Sequence, residues 1–282
     1  MKKVTQPKEI FNEIVEAKRQ GQVVGVVPTM GALHDGHLSL VQAAREKCDF
    51  VVATIFVNPT QFAPDEDLDQ YPRPLDEDLA KLQLLGVDCV FCPANTDIYP
   101  PGYSTYVDPP EIAHPFEGAS RQTHFRGVAT VVLKLFQMIP ADFGFFGQKD
   151  FQQSLVIKKM VKDFNLPIEI VVCPIVREPD GLAMSSRNAY LSTSDRQRAA
   201  YLHKSLVSME AEIAAGHSIA HATQRAANEL ENHVDQLEYL AVVDAETLAT
   251  PGSDSQQWVA IVAAQVGQTR LIDNRLFAIP NK

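Results

Sequence analysis

The chain has 282 residues, with 25 Lys+Arg against 35 Asp+Glu and a formal net charge of −10. That balance, with a pI near 5.3, excludes a general nucleic-acid binder, which needs a basic face. No apolar run approaches the roughly 20 residues of a membrane span, and 45% hydrophobic with 21% charged residues is a globular composition. The start, Met1-Lys2-Lys3-Val4, has no apolar stretch behind its lysines, which predicts no secretory leader and a cytoplasmic enzyme.

In chain order, Ile10, Phe11, Ile14 and Val15 form a helical stripe over 7–20. The apolar run 23–27 reads as a strand buried on both faces, followed by a turn and a helix beginning near His37. A second strand over 50–57 leads into a long polar loop, 58–74, containing Pro64, Pro72 and Pro74, which suits a lid or a stiff surface excursion. Helices are predicted at 75–85, 128–139 and 151–164, and strands at 87–92, 142–146 and 168–173. Strands alternating with helices predict an α/β fold, a doubly wound parallel Rossmann-like sheet. After about Arg187 the pattern changes to a helix with a capped start at Ser194-Asp195-Arg196-Gln197 that continues over 199–215, a second helix over 219–234, and strands over 237–243, 258–266 and 270–277. This predicts a catalytic domain over 1–178 and a smaller C-terminal α+β domain over 179–282 that closes over the site.

Four cysteines, Cys48, Cys89, Cys92 and Cys173, are too few and scattered for a disulfide framework. Cys89 and Cys92 match C-x-x-C, but strand positions i and i+3 face opposite sides, so core packing is the expectation.

Three strand-to-helix junctions carry candidate chemistry. Met30-Gly31-Ala32-Leu33-His34-Asp35-Gly36-His37 follows the first long strand directly. Ligands of an open parallel sheet sit at the carboxyl ends of its strands, and a helix N-terminus there attracts anions. Two histidines with Gly36 between them suit a phosphate, and a protonated imidazole would stabilise charge on a leaving pyrophosphate. A helix cap, solvated turn histidines and a metal pair are the competing readings. Gly147-Gln148-Lys149-Asp150 offers an ammonium for phosphate and a carboxylate for a cap or a ribose hydroxyl. Met184-Ser185-Ser186-Arg187 offers hydroxyls and a guanidinium, which suit a triphosphate tail.

His34-Asp35-Gly36-His37 resembles the H-x-G-H motif, and Met184-Ser185-Ser186-Arg187 a modified K-M-S-K-S loop, of the adenylyl-transferring Rossmann-like superfamily. The strings Pro28–His34, Ile55–Phe62, His124-Phe125-Arg126-Gly127-Val128 and Gly147–Gln153 are similar to the pantothenate synthetase (pantoate–β-alanine ligase) family. The resemblance implies ATP-dependent condensation of pantoate with β-alanine through a pantoyl adenylate, releasing AMP and pyrophosphate. The alternative is a nucleotidylyltransferase of the same superfamily.

By that resemblance, His37, His34, Lys149 and Arg187 are the catalytic set. Met30, Gly31, Ala32, Leu33, Asp35 and Gly36 line the ATP site with Gly147, Gln148, Asp150, Val176, Met184, Ser185 and Ser186. Gln61 and Gln153 are the expected pantoate contacts, and Arg121 and His124 fall in a polar segment of the family site. Magnesium (Mg2+) is expected on the phosphates, with Asp78 as the suggested carboxylate; an acidic first helical turn explains Asp78 equally. Family members are homodimers, so a homodimer is expected, with no nucleic-acid or membrane partner.

Overall fold

The computed structural model describes residues 1–63 and 66–278. Parallel strands β1 (Lys2–Val4), β2 (Val24–Thr29), β3 (Phe50–Ile55), β4 (Cys89–Phe91), β5 (Phe143–Gly147) and β6 (Glu169–Cys173) form a six-stranded sheet ordered β1-β4-β3-β2-β5-β6. Helices α1 (Pro7–Arg19), α2 (Asp35–Lys47), α3 (Leu75–Leu84), α4 (Asn95–Ile98), α5 (Glu117–Ser120), α6 (His124–Met138) and α7 (Phe151–Asp163) connect them. Strand residues alternate between two cores. Val24, Val26 and Val52 join the core built from α1 and α6, whereas Val27, Val51 and Ala53 join the core of α2 and α3. The sheet is therefore doubly wound. From β2 the chain steps outward to β3 and β4, then returns to β5 on β2's other side. That reversal opens a crevice at the carboxyl ends of β2 and β5.

Residues Met1–Gln148 and Gln152–Pro174 pack as one compact unit; Lys149–Phe151 group with the chain from Ile175 onward as the second. In the second unit α8 (Thr193–Ala214) and α9 (Ile219–Leu230) share a core with the antiparallel sheet β7 (Gln236–Asp244), β8 (Gln257–Val266) and β9 (Thr269–Ala278). Strand β8 is central, so β9 is an edge.

Several boundaries differ from the sequence expectation. Strand β1 is too short to show a period, and it is held by backbone pairing with β4. Helix α2 starts at Asp35, before His37, because His34 caps it. Helix α6 starts at His124, four residues ahead of Val128, so Gly127 lies inside a helix. Its glycine is required by close approach: a Cβ there would stand 2.3 Å from the Thr60 carbonyl oxygen. Helix α8 starts at Thr193, with Ser192 accepting the Asp195 N–H, and α9 stops at Leu230, short of Val234.

In the 58–74 loop, Pro64 lies outside the described residues, while Phe62 and Tyr71 are buried against each other edge to face. The cysteines are unbonded thiols, and burial pushes Cys89 up to about 12, which matches core packing. Among the described residues no helix is long and apolar enough to cross a membrane.

Candidate active site

Helix α2 opens at the carboxyl end of β2, beside the reversal of strand order. His34 is its N-cap: Nδ1 accepts the Gly36 N–H at 3.2 Å, and His37 Nδ1 accepts the His34 N–H at 3.4 Å. This reciprocal capping box satisfies two amide donors that a helix start leaves over. The rings lie 4.1 Å apart by centroid. An imidazolium has no acceptor at Nδ1, so the caps require neutral rings with the proton on Nε2. The helix-cap reading therefore holds.

The loop ahead of the cap is held by α3. Gly31 and Ala32 have φ of 84° and 50°, and this left-handed pair turns successive amides inward. Ala32 N–H donates to Asp78 Oδ2 at 2.8 Å and Leu33 N–H to Asp78 Oδ1 at 2.7 Å. A Cβ at Gly31 would meet Asp78 Oδ2 at 3.0 Å and Ile55 at 3.1 Å, so the position needs glycine on both counts. One turn on, Lys81 Nζ donates to the Leu33 carbonyl at 2.7 Å. Asp78 is 1% exposed with both oxygens turned to loop amides. It does not fit the expected magnesium ligand and is the anchor of the β2–α2 loop instead.

Gln61 ends a 3-10 turn, Pro59–Gln61, capped by Asn58. Asn58 is buried and donates through Nδ2 to Gln61 Oε1 and to the Gly127 carbonyl. Gln61 Nε2 points at Met30 Sδ at 2.9 Å, which links the expected pantoate contact to the expected ATP loop. His124 donates from Nδ1 to the Gln61 carbonyl at 2.9 Å. Burial, and then the Arg121 guanidinium, lower its pKa to about 4, so it is neutral. Arg121 is paired with both oxygens of Glu66, at 2.8 and 2.7 Å, and also reaches the Gln61 carbonyl. Arg121 and His124 thus set the backbone of Gln61. On α7, Gln152 is buried and tied to Glu117 N–H and to the Ile112 and Pro115 carbonyls, while Gln153 beside it is half-buried.

In the second unit, Lys149 Nζ lies 3.4 Å from Asp150 Oδ1 in the turn Gln148–Asp150, which follows Gly147 at the end of β5. Val176 and Met184 are joined as Met184 N–H donates to the Val176 carbonyl at 3.0 Å. Between them, Arg177 and Ala183 form an antiparallel bridge. The hairpin delivers Ser185, which caps a short turn (Ser186–Tyr190) and accepts the Arg187 N–H at 3.3 Å.

Sequence reasoning quoted Asn58 and Gly127 inside motifs without giving them a role, and it missed Glu66 and Lys81. A buried asparagine before Pro59 was a turn signal; Glu66 and Lys81 act across long sequence separations and leave no local trace. Among the described residues one further group can gather around an ion: Glu212, His217 and His221, with ligand atoms within 4.8 Å. Arg225 pairs with Glu212 there, so a cation of the chain already meets that carboxylate.

The chain matches the family described as pantoate-beta-alanine ligase over residues 2–276. It is 54% identical over 266 residues to the pantothenate synthetase of Rhodopirellula baltica, covering 92% of this chain and 93% of that protein. It is 51% identical over 253 residues to that of a Roseiflexus species, covering 89% and 91%. The crystal structure of pantothenate synthetase from Thermus thermophilus matches with a TM-score of 0.93 at 43% identity over 100% of both chains. That of pantoate-beta-alanine ligase from Francisella tularensis, complexed with beta-gamma ATP and beta-alanine, gives 0.83 at 36% identity over 98% and 97%. The chain belongs to the pantoate–β-alanine ligase family.

Proposed function

We propose that the chain joins pantoate to β-alanine at the expense of ATP, through a pantoyl adenylate. The observation that carries this reading is the connected network of the sheet unit. Through Met30, Gln61 meets the loop that presents His34 and His37 at the strand-order reversal. A hydroxy-acid contact beside a phosphate-facing loop is what adenylation of a carboxylate requires, because the two reactants must be neighbours.

In the first step a pantoate carboxylate oxygen attacks the α-phosphorus, the new O–P bond forms and pyrophosphate leaves. Nε2–H of His34 and His37 donates to the phosphate oxygens as charge builds, and Lys149, Ser185, Ser186 and Arg187 hold the triphosphate. Gln61 and Gln153 orient pantoate, since a neutral amide offers both donors and an acceptor to a hydroxy acid. Asp150 takes the ribose, Val176 meets the base through its backbone, and Met184 lines the same nucleotide site. Magnesium carried by the nucleotide would supply positive charge to the leaving pyrophosphate. In the second step the β-alanine nitrogen attacks the acyl carbon, the C–O bond to AMP breaks, and the nitrogen sheds a proton as the amide forms. Gln61, fixed by Asn58, Arg121 and His124, keeps the acyl group in register between the steps.

The test is a three-substrate reaction with each substrate omitted in turn. Pantothenate, AMP and pyrophosphate should form together, and omission of β-alanine should stop turnover. Formation of ADP, or an adenylylated product that keeps the AMP group, would overturn the reading; the latter is the nucleotidylyltransferase outcome.

A further inference from the structure

Strand β9 has a sheet partner on one side only, so the backbone groups of its other edge must be satisfied elsewhere. At Asn274 they are met by side chains rather than by a strand. Asp273, with its side chain 1% exposed, takes Arg177 in a two-pronged pair at 2.6 and 3.0 Å. Arg177 also donates to the carbonyls of Gly181, at 3.0 Å, and of Asn274, at 3.2 Å. The Asn274 N–H donates to Asp273 Oδ1 at 2.7 Å. Asn274, itself buried, sends Nδ2 to the Lys149 carbonyl at 2.9 Å.

Successive side chains of a strand point to opposite sides, so adjacent residues reach two different segments. Asp273 holds Arg177, at the base of the hairpin whose far strand runs into Met184, Ser185, Ser186 and Arg187, and Arg177 in turn holds its tip at the Gly181 carbonyl. Asn274 holds the residue that carries the Lys149 ammonium. The hairpin leaves little slack: Gly181 has φ of 92°, and a Cβ there would stand 2.6 Å from His203 Cδ2. Lys149 and Arg187 are far apart in sequence, and both trace back to one pair of residues on one strand edge.

We propose that Asp273 and Asn274 are positioning residues for the phosphate-binding groups: Asn274 sets Lys149, and Asp273, through Arg177, sets the Ser185–Arg187 segment. Neither touches substrate. The inference rests on the reading of Lys149 and Arg187 given above. Their charges stabilise a transition state only if held in place beforehand, and a displacement of about 1 Å is enough to cost up to about 100-fold in rate.

The test is pantoate-dependent exchange of labelled pyrophosphate into ATP, with thermal melting followed in parallel. Asn274→Asp keeps the side chain's shape and turns an oxygen, in place of the donor, toward the Lys149 carbonyl. It should lower the exchange kcat about 10-fold or more, with the KM for pantoate little changed. The decisive comparison is a double-mutant cycle. In a Lys149→Ala background the further loss from Asn274→Asp should nearly vanish, whereas a general loss of structure would persist. Asp273→Asn, crossed in the same way with Arg187→Ala, keeps the inference testable should Asn274→Asp fail to fold. Additive losses in both cycles, or an unchanged exchange rate in both single variants, would overturn the positioning role. An unchanged exchange rate in Lys149→Ala itself would overturn the reading of the site, and this inference with it.

Discussion

Asp78 in the sheet unit and Asp273 in the smaller unit are both buried, and each fixes a loop that carries candidate phosphate ligands, yet they bind different partners. Asp78 accepts two backbone amides, Ala32 and Leu33. Asp273 accepts a guanidinium, Arg177. A carboxylate met by amides dictates conformation, because only a left-handed pair such as Gly31 and Ala32 turns both N–H groups to it. A carboxylate met by arginine dictates position and leaves the bound hairpin an ordinary antiparallel bridge. The histidine loop is thus shaped by its anchor, and the Ser185–Arg187 segment is placed by its anchor.

That contrast can be broken by removing each anchor. Asp273→Ala leaves Arg177 without its counter-charge and should destabilise the protein by about 3–5 kcal/mol, read by urea unfolding. Lys149→Ala should leave melting nearly unchanged and cut pyrophosphate exchange by about 100- to 1000-fold, since a phosphate partner is lost. The ammonium's contact with its neighbour Asp150, at 3.4 Å, is too long to matter for the fold. Asp78→Ala strands two neutral amides and should cost about 2–4 kcal/mol, less than Asp273→Ala. An equal or larger loss for Asp78→Ala would remove the distinction between dipole and ion anchoring.

His124 sharpens the same point at smaller scale, because it anchors Gln61 as a neutral donor. Its folded pKa, about 4, lies below the ordinary 6.5. The unfolded chain therefore takes up a proton before the folded one, and the stability from neutral His124 is complete above about pH 6.5. It is lost as pH falls toward 4, with a slope on the order of 1 kcal/mol per pH unit. His124→Asn should flatten the melting temperature across that window; an unaltered pH profile would remove His124 from this role.

What the sequence revealed was local. The apolar runs of β2 and β3 announced a sheet buried on both faces, and strand–helix alternation announced its winding. The turn between β2 and α2 announced a helix start at the carboxyl end of β2, since the capping pair lies within four residues. What it hid was nonlocal. Nothing near Asp78 indicates that its partners are Ala32 and Leu33; the family resemblance suggested a magnesium ligand, and its place in an acidic first turn suggested a carboxylate favoured by the helix dipole. Gly127 reads as part of the loop ahead of a helix over 128–139, because the cause of a glycine inside the helix, the Thr60 carbonyl, sits far away in sequence. Asp273 and Asn274 did leave a trace: with Arg275 they set three polar residues in a row between the apolar pairs Leu271-Ile272 and Leu276-Phe277 of β9, where the period-two pattern of a strand gives no reason for them.

The acyl-adenylate route is tested most directly by pantoate labelled with oxygen-18 in its carboxylate. Attack on the α-phosphorus followed by amide formation should place one labelled oxygen in AMP for each pantothenate made. Label in inorganic phosphate, or AMP without label, would contradict the route and with it the roles given to His34, His37 and Lys149.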